Sequence, residues 1–115
     1  MKRGDVYRAD LDPVQGSEQG GIRPVVIVQN DLGNQSSSTV IVAPLTTQCK
    51  KRSQPTHVQV SPPEGGLRYP SMVLCEQLRT VEKTRLDRYI GHFSPETLKK
   101  VDEALLEALG TGKGN

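Results

Sequence analysis

Before Ser94 the apolar residues of this chain come only in short runs, β-branched or alternating, each cut off by glycine, proline or a polar cluster. That spacing leaves no room for the crossover helices of a βαβ layout. Val25-Val26-Ile27-Val28 and Val40-Ile41-Val42-Ala43 read as two well-buried strands at the centre of a sheet, joined by a polar connection from Asn30 to Ser38. From Asp5 to Leu11, Val6, Tyr7, Ala9 and Leu11 interleave with Arg8 and Asp10, the pattern of a strand with one face inward. Residues 12–21, rich in glycine and polar side chains, read as a mobile loop. Thr56 to Val60 alternates as a strand. Met72-Val73-Leu74-Cys75 reads as a buried strand continuing through Glu76, Gln77 and Leu78, and Thr80 to Leu86 as holding one helical turn. Tyr89 to Phe93 gives a last short strand.

Only after that does a helical pattern begin. Ser94 supplies an N-cap hydroxyl and Pro95 suits the first helical position, while Leu98, Val101, Leu105 and Leu109 share one face and Gly110 provides a stop. Five or six short strands and one terminal helix predict a mainly β protein, a small and strongly curved sheet or barrel with the helix packed on it. A length of 115 residues fits a single domain spanning 1–115, with residues 110–115 as a frayed tail.

The totals bound the partner weakly. A formal charge of +2 permits a polyanion without demanding one. Three tyrosines, one phenylalanine and no tryptophan are too few for an extended base-stacking platform, so any grip on RNA must be polar and cationic. Cys49 and Cys75 have no C-x-x-C spacing and no secretory segment near them, and read as free thiols. No apolar run approaches the length of a membrane span, so a cytoplasmic location with no membrane contact is expected.

Several motifs are more specific. Lys2-Arg3-Gly4-Asp5-Val6-Tyr7, then Gly16-Ser17-Glu18-Gln19-Gly20-Gly21-Ile22-Arg23-Pro24-Val25-Val26-Ile27-Val28-Gln29-Asn30, resemble the N-terminal signature of the MazF/PemK toxins. The resemblance continues through Val42-Ala43-Pro44-Leu45-Thr46, Pro55-Thr56-His57-Val58 and Glu76-Gln77-Leu78-Arg79-Thr80-Val81 to Val101-Asp102-Glu103-Ala104-Leu105. It implies an SH3-like barrel of the PemK/CcdB type with a C-terminal α-helix, and a homodimer, which would use sheet edges and neighbouring loops. It further implies sequence-specific cleavage of single-stranded RNA and neutralisation by a cognate antitoxin. Carried over by residue, the resemblance puts the active-site arginine on Arg23 and the active-site threonine on Thr46, with Thr47 an adjacent alternative. Glu18 and Gln19 fall in the loop near bound RNA, and Gln77 at a position for reading a base edge. Pro44 is expected to interrupt the strand just before Thr46.

The chemistry suits those residue types. RNA carries its own nucleophile, so an endoribonuclease need only align the 2′-hydroxyl with the leaving 5′-oxygen and stabilise the developing charge. A guanidinium at Arg23 would fork onto the non-bridging phosphate oxygens, with the glycines at 20 and 21 letting a phosphate approach the chain and Thr46 adding a hydroxyl contact. Arginine stays protonated at neutral pH, so the general base is left unassigned. The family's products would be a 2′,3′-cyclic phosphate and a 5′-hydroxyl, formed with no metal and no cofactor.

Outside that motif, Arg23 would read as a solvated charge and Thr46 and Thr47 as ordinary strand or turn residues. Lys50-Lys51-Arg52 is an auxiliary phosphate contact or a solvated loop. His57 and His92 lie in separate strands and are given structural roles, and Cys49, Cys75, His57 and His92 do not have the spacing of a zinc site. Two other functions compete. One is a non-catalytic toxin of the same barrel type that poisons a protein target such as gyrase; the other is a single-stranded RNA-binding module that does not cut.

Overall fold

The computed structural model describes residues 1–49 and 54–111. The basic cluster Lys50-Lys51-Arg52 and residues 112–115 of the expected tail lie outside them. In chain order the elements are β1 (Asp5–Asp10), β2 (Ile22–Ile27), α1 (Asp31–Ser36), β3 (Thr39–Thr46), β4 (His57–Val60), β5 (Ser71–Leu74), β6 (Arg79–Glu82), β7 (Leu86–His92) and α2 (Pro95–Leu109). Among the described residues the seven strands form one antiparallel sheet in the order β4-β5-β3-β2-β1-β7, with β6 pairing on β3. This is the curved, helix-capped sheet of an SH3-like barrel, with more strands than the five or six that the apolar runs suggest.

Strand β3 is its hub. One edge pairs with β2, from Ile27↔Val42 to Val25↔Pro44. The other edge pairs first with β6 over residues 39–42 and then with β5 at Leu45↔Val73 and Thr46↔Met72. Pro44 lies in the gap between these two partners, where that edge has no opposing residue and a missing N–H costs no ladder bond. It is buried within β3 and does not interrupt the strand, contrary to the sequence expectation.

The continuous apolar runs are explained by burial on both faces. Val26, Ala43, Leu45 and Val73 point into a core shared with Phe93 and with Val101, Ala104 and Leu105 of α2. Val25, Ile27 and Val42 point the other way, into a second cluster with Ala9, Leu11, Val40 and Val81. In α2, Leu98, Val101 and Leu105 pack as the periodicity requires, whereas Leu109 is the final residue and 61% exposed. Periodicity gives a helix its face but not where the surface beneath it ends. Ser94 Oγ accepts from Thr97 N at 3.3 Å, Pro95 opens the helix, and Gly110 closes it at φ 69°. Of the tail expected to fray, Gly110 and Thr111 instead donate their amides back into the last turn, to Glu107 and Leu106.

Three local expectations change. The connection after β2 contains α1, capped by Asn30 Oδ1 on Gly33 N at 2.8 Å; its glycine and polar residues hide it from a hydrophobic pattern. The strand expected to run on from Cys75 to Leu78 turns instead, Cys75–Gln77 forming a 3-10 turn after β5. The turn expected between Thr80 and Leu86 is confined to Lys83–Arg85, after the strand β6. Residues 64–66 form another tight turn against β7, where Gly66 has φ 73° and an added Cβ would lie 2.2 Å from the Ile90 carbonyl oxygen. No helix among the described residues is long and apolar enough to cross a membrane.

Candidate active site

Arg23 stands on β2 opposite Ala9, just after the loop that joins β1 to β2. That loop is closed at its base by Leu11 N donating to the Gly21 carbonyl at 2.9 Å and Gly21 N donating to Asp12 Oδ1 at 2.9 Å. Gly21 has φ 75°, a conformation that glycine adopts without strain, and the space where its Cβ would be is open. The turn aims the Gly20 carbonyl at Arg23, which donates to it from Nε at 2.8 Å, while Nη1 donates to the Leu45 carbonyl at 3.1 Å. Two of the guanidinium's five N–H donors are thus spent on backbone, leaving three for a ligand. The side chain is held in place before any substrate arrives.

Thr46 ends β3 beside it, 9% exposed. Its Oγ1 accepts from Gln48 N at 3.2 Å, so the hydroxyl proton is left for another acceptor. Arg23 and Thr46 line one pocket of about 220 Å³ with Ile22, Pro24, Leu45, Thr47 and Ser71. Thr46 also lines a second pocket of about 240 Å³, with Ser17, Gln19, Gln77 and Glu76 among its walls. The threonine is the shared wall of the two, which together form a cleft across the end of β3.

The other expected residues divide between these spaces. Thr47 is exposed on the Arg23 side. Gln19 and Gln77 lie on the other and are joined, Gln19 N donating to Gln77 Oε1 at 2.8 Å. Gln77 therefore anchors the β1–β2 loop to the 3-10 turn, and its amide nitrogen is the end left for a ligand. Glu18 is exposed and turned into its own loop, accepting from Gln15 N at 2.9 Å. It is not a wall of either pocket.

Two further residues enter the cleft that sequence patterns did not place there. His57, on β4, presents Nε2 to Glu76 Oε2 at 2.9 Å, and both line the pocket beside Thr46. The Glu76 carboxyl lies below its ordinary value. Its partial burial, the largest single influence, acts upward but is outweighed by the His57 and Thr56 hydrogen bonds and the His57 charge. The signal was the pair of motifs Pro55-Thr56-His57-Val58 and Glu76-Gln77-Leu78, whose contact only the β4–β5 register reveals. His92 lies elsewhere, with Nδ1 2.7 Å from Asp5 Oδ1. Among the described residues no group of three or more His, Cys, Asp or Glu side chains gathers as for a metal ion. Cys49 is half-buried near the cleft, and Cys75 is enclosed in the core, where burial and then the Glu76 charge push its thiol up to about 12.

The comparisons with known proteins agree over nearly the whole chain. A family model described as PemK-like, MazF-like toxin of type II toxin-antitoxin system matches residues 2–109. Endoribonuclease EndoA of Bacillus subtilis (strain 168) is 53% identical over 105 residues, covering 91% of this chain and 90% of that protein. A solved endoribonuclease in complex with its cognate antitoxin, from Mycobacterial species, superposes with a TM-score of 0.81 at 33% identity, covering 97% of each chain. MazF (Form-I) from Deinococcus radiodurans, at 22% identity and a TM-score of 0.82 over 96% of each chain, shares the fold.

Proposed function

The chain belongs to the PemK-like, MazF-like toxins of type II toxin–antitoxin systems and is an endoribonuclease toxin, and we propose that Arg23 and Thr46 are the residues that cleave its RNA. The observation that carries this assignment is the cleft at the end of β3. There a guanidinium fixed by two backbone carbonyls shares a pocket with a threonine whose hydroxyl proton is free to donate. A phosphate seated in that pocket would receive the remaining Arg23 donors on its non-bridging oxygens and the Thr46 hydroxyl beside them.

The reaction is attack by the ribose 2′-oxygen on the neighbouring phosphorus, with departure of the 5′-oxygen. The 2′-hydroxyl loses its proton and the leaving oxygen gains one, giving a 2′,3′-cyclic phosphate and a 5′-hydroxyl. Arg23 is placed to stabilise the charge that builds on the phosphorane oxygens, with donors held in position so that little reorganisation is needed at the transition state. Gln19, Gln77 and Thr47 border the path of the strand to either side of that phosphate. Glu18 acts through the loop, keeping its turn closed on Gln15. The protein works as a homodimer in the cytoplasm, where its single-stranded RNA substrate and a cognate antitoxin that neutralises it are both present.

The mechanism is tested with an RNA carrying a single 2′-deoxyribose at the cleavage position. Cleavage there should stop while binding of the oligonucleotide persists. Continued cleavage at the deoxy position would require a different nucleophile and overturn the mechanism.

A further inference from the structure

The pocket on the far side of Thr46 from Arg23 has a polar rim, an apolar floor of Met72 and Leu74, and one carboxylate, Glu76. Its volume of about 240 Å³ is below the range of drug-sized ligand sites and suits a single flat heterocycle. A carboxylate beside a polyanion is costly unless it meets a hydrogen-bond donor. The His57 side chain is only 6% exposed, and its Nδ1 is buried with no hydrogen-bond partner. An ionised carboxylate only accepts, so Nε2 carries the proton that bridges to Glu76 Oε2. The carboxylate itself is 37% exposed and lines the pocket, held by His57 at Oε2 and by a hydrogen bond from Thr56. Gln77, the neighbouring base-reading candidate, has its carbonyl oxygen committed to the loop at Gln19.

We propose that Glu76 is a specificity-determining residue: its carboxylate, aimed by His57, accepts a hydrogen bond from the amino group of a base beside the scissile phosphate and disfavours uracil there. An ionised carboxylate only accepts. Cytosine, adenine and guanine each offer an exocyclic amine, whereas uracil offers two carbonyl oxygens flanking its one N–H, and these repel the carboxylate. His57 is a positioning residue, touching the base only through Glu76. The inference rests on the endoribonuclease assignment and adds to it the pocket that reads a neighbouring base.

The test is to cut a pool of RNAs randomised around the cleavage site with the full-length protein and to sequence the products. The unmutated protein is expected to disfavour uracil at one position next to the cut. Glu76→Gln, whose amide both donates and accepts, should lose that discrimination by about fivefold or more at that position alone. Glu76→Asp, one methylene shorter, and His57→Leu, which removes the donor, should each lose part of it at the same position, so the outcome does not hinge on one variant's folding. Variants that cut with unchanged base preferences, or that slow equally at every site, overturn the inference while leaving the endoribonuclease assignment in place. An unmutated protein that cuts no RNA overturns that assignment, and the inference with it.

Discussion

At the residue scale, the arginine is defined by geometry more than by charge. The Gly-Gly-Ile-Arg-Pro segment reads in the sequence as an anion site, and in the structure its two glycines do different things. Gly21 supplies the turn, and Gly20 packs where a Cβ would lie 2.7 Å from Asp12 Oδ1 and Val14 Cγ2. Because two backbone carbonyls hold the guanidinium through its fork, Arg23→Lys should be nearly as inactive as Arg23→Ala. Both should lose about 10²-fold or more in the rate of cleavage at saturating RNA, while circular dichroism shows a retained fold. A lysine variant of near-normal rate would show that charge alone suffices. Cys75 provides a pH prediction. With its thiol raised to about 12, the thiolate is scarce in the folded protein at pH 8 and accumulates only as pH climbs toward that value or the chain unfolds. A disulfide exchange reagent should therefore titrate Cys49 alone at pH 8 and both thiols in denaturant. The Gln77 anchor was not legible, because its partner Gln19 is 58 positions away.

At the element scale, the sequence displays those segments whose stability is local and conceals those set by their neighbours. Helix α2 was legible from its cap, its proline, its apolar face and its glycine stop. Ser94→Ala should cost about 1 kcal/mol, lowering the melting temperature by about 4 °C without changing cleavage. The 3-10 turn at Cys75–Gln77 was hidden, since an apolar run followed by polar residues looks the same whether the chain continues straight or turns. Pro44 was misjudged for a similar reason: a proline is tolerated where a strand changes partners, and partner exchange is a property of the sheet. Gly66 belongs with these tertiary constraints. Gly66→Ala puts a methyl group against the Ile90 carbonyl in a left-handed backbone conformation and should destabilise the fold by about 2 kcal/mol or more in denaturant unfolding.

At the scale of the whole molecule, a net charge of only +2 must hold a polyanion through a few placed groups rather than through a broad field. RNA affinity should fall with salt, and Arg23→Ala should flatten the slope of log affinity against log salt by about 0.7, the loss of one phosphate contact to a single strand. Fluorescence anisotropy with an uncleavable 2′-O-methyl RNA measures it. The architecture was legible because the motifs run almost the full length of the chain, and the same motifs pointed to Arg23 and Thr46, which folding brings to one pocket. The two-pocket form of the cleft was not, because it is assembled from β2, β3, β4 and the turn after β5, which meet only on folding. The most direct measurement of the central claim is the end chemistry of a long RNA incubated with the protein in EDTA, beside folded Arg23→Ala and Thr46→Ala. The predicted result is discrete cuts with 2′,3′-cyclic phosphate and 5′-hydroxyl ends, strongly reduced in both variants; intact RNA, 5′-phosphate ends, or full activity in Arg23→Ala would contradict it.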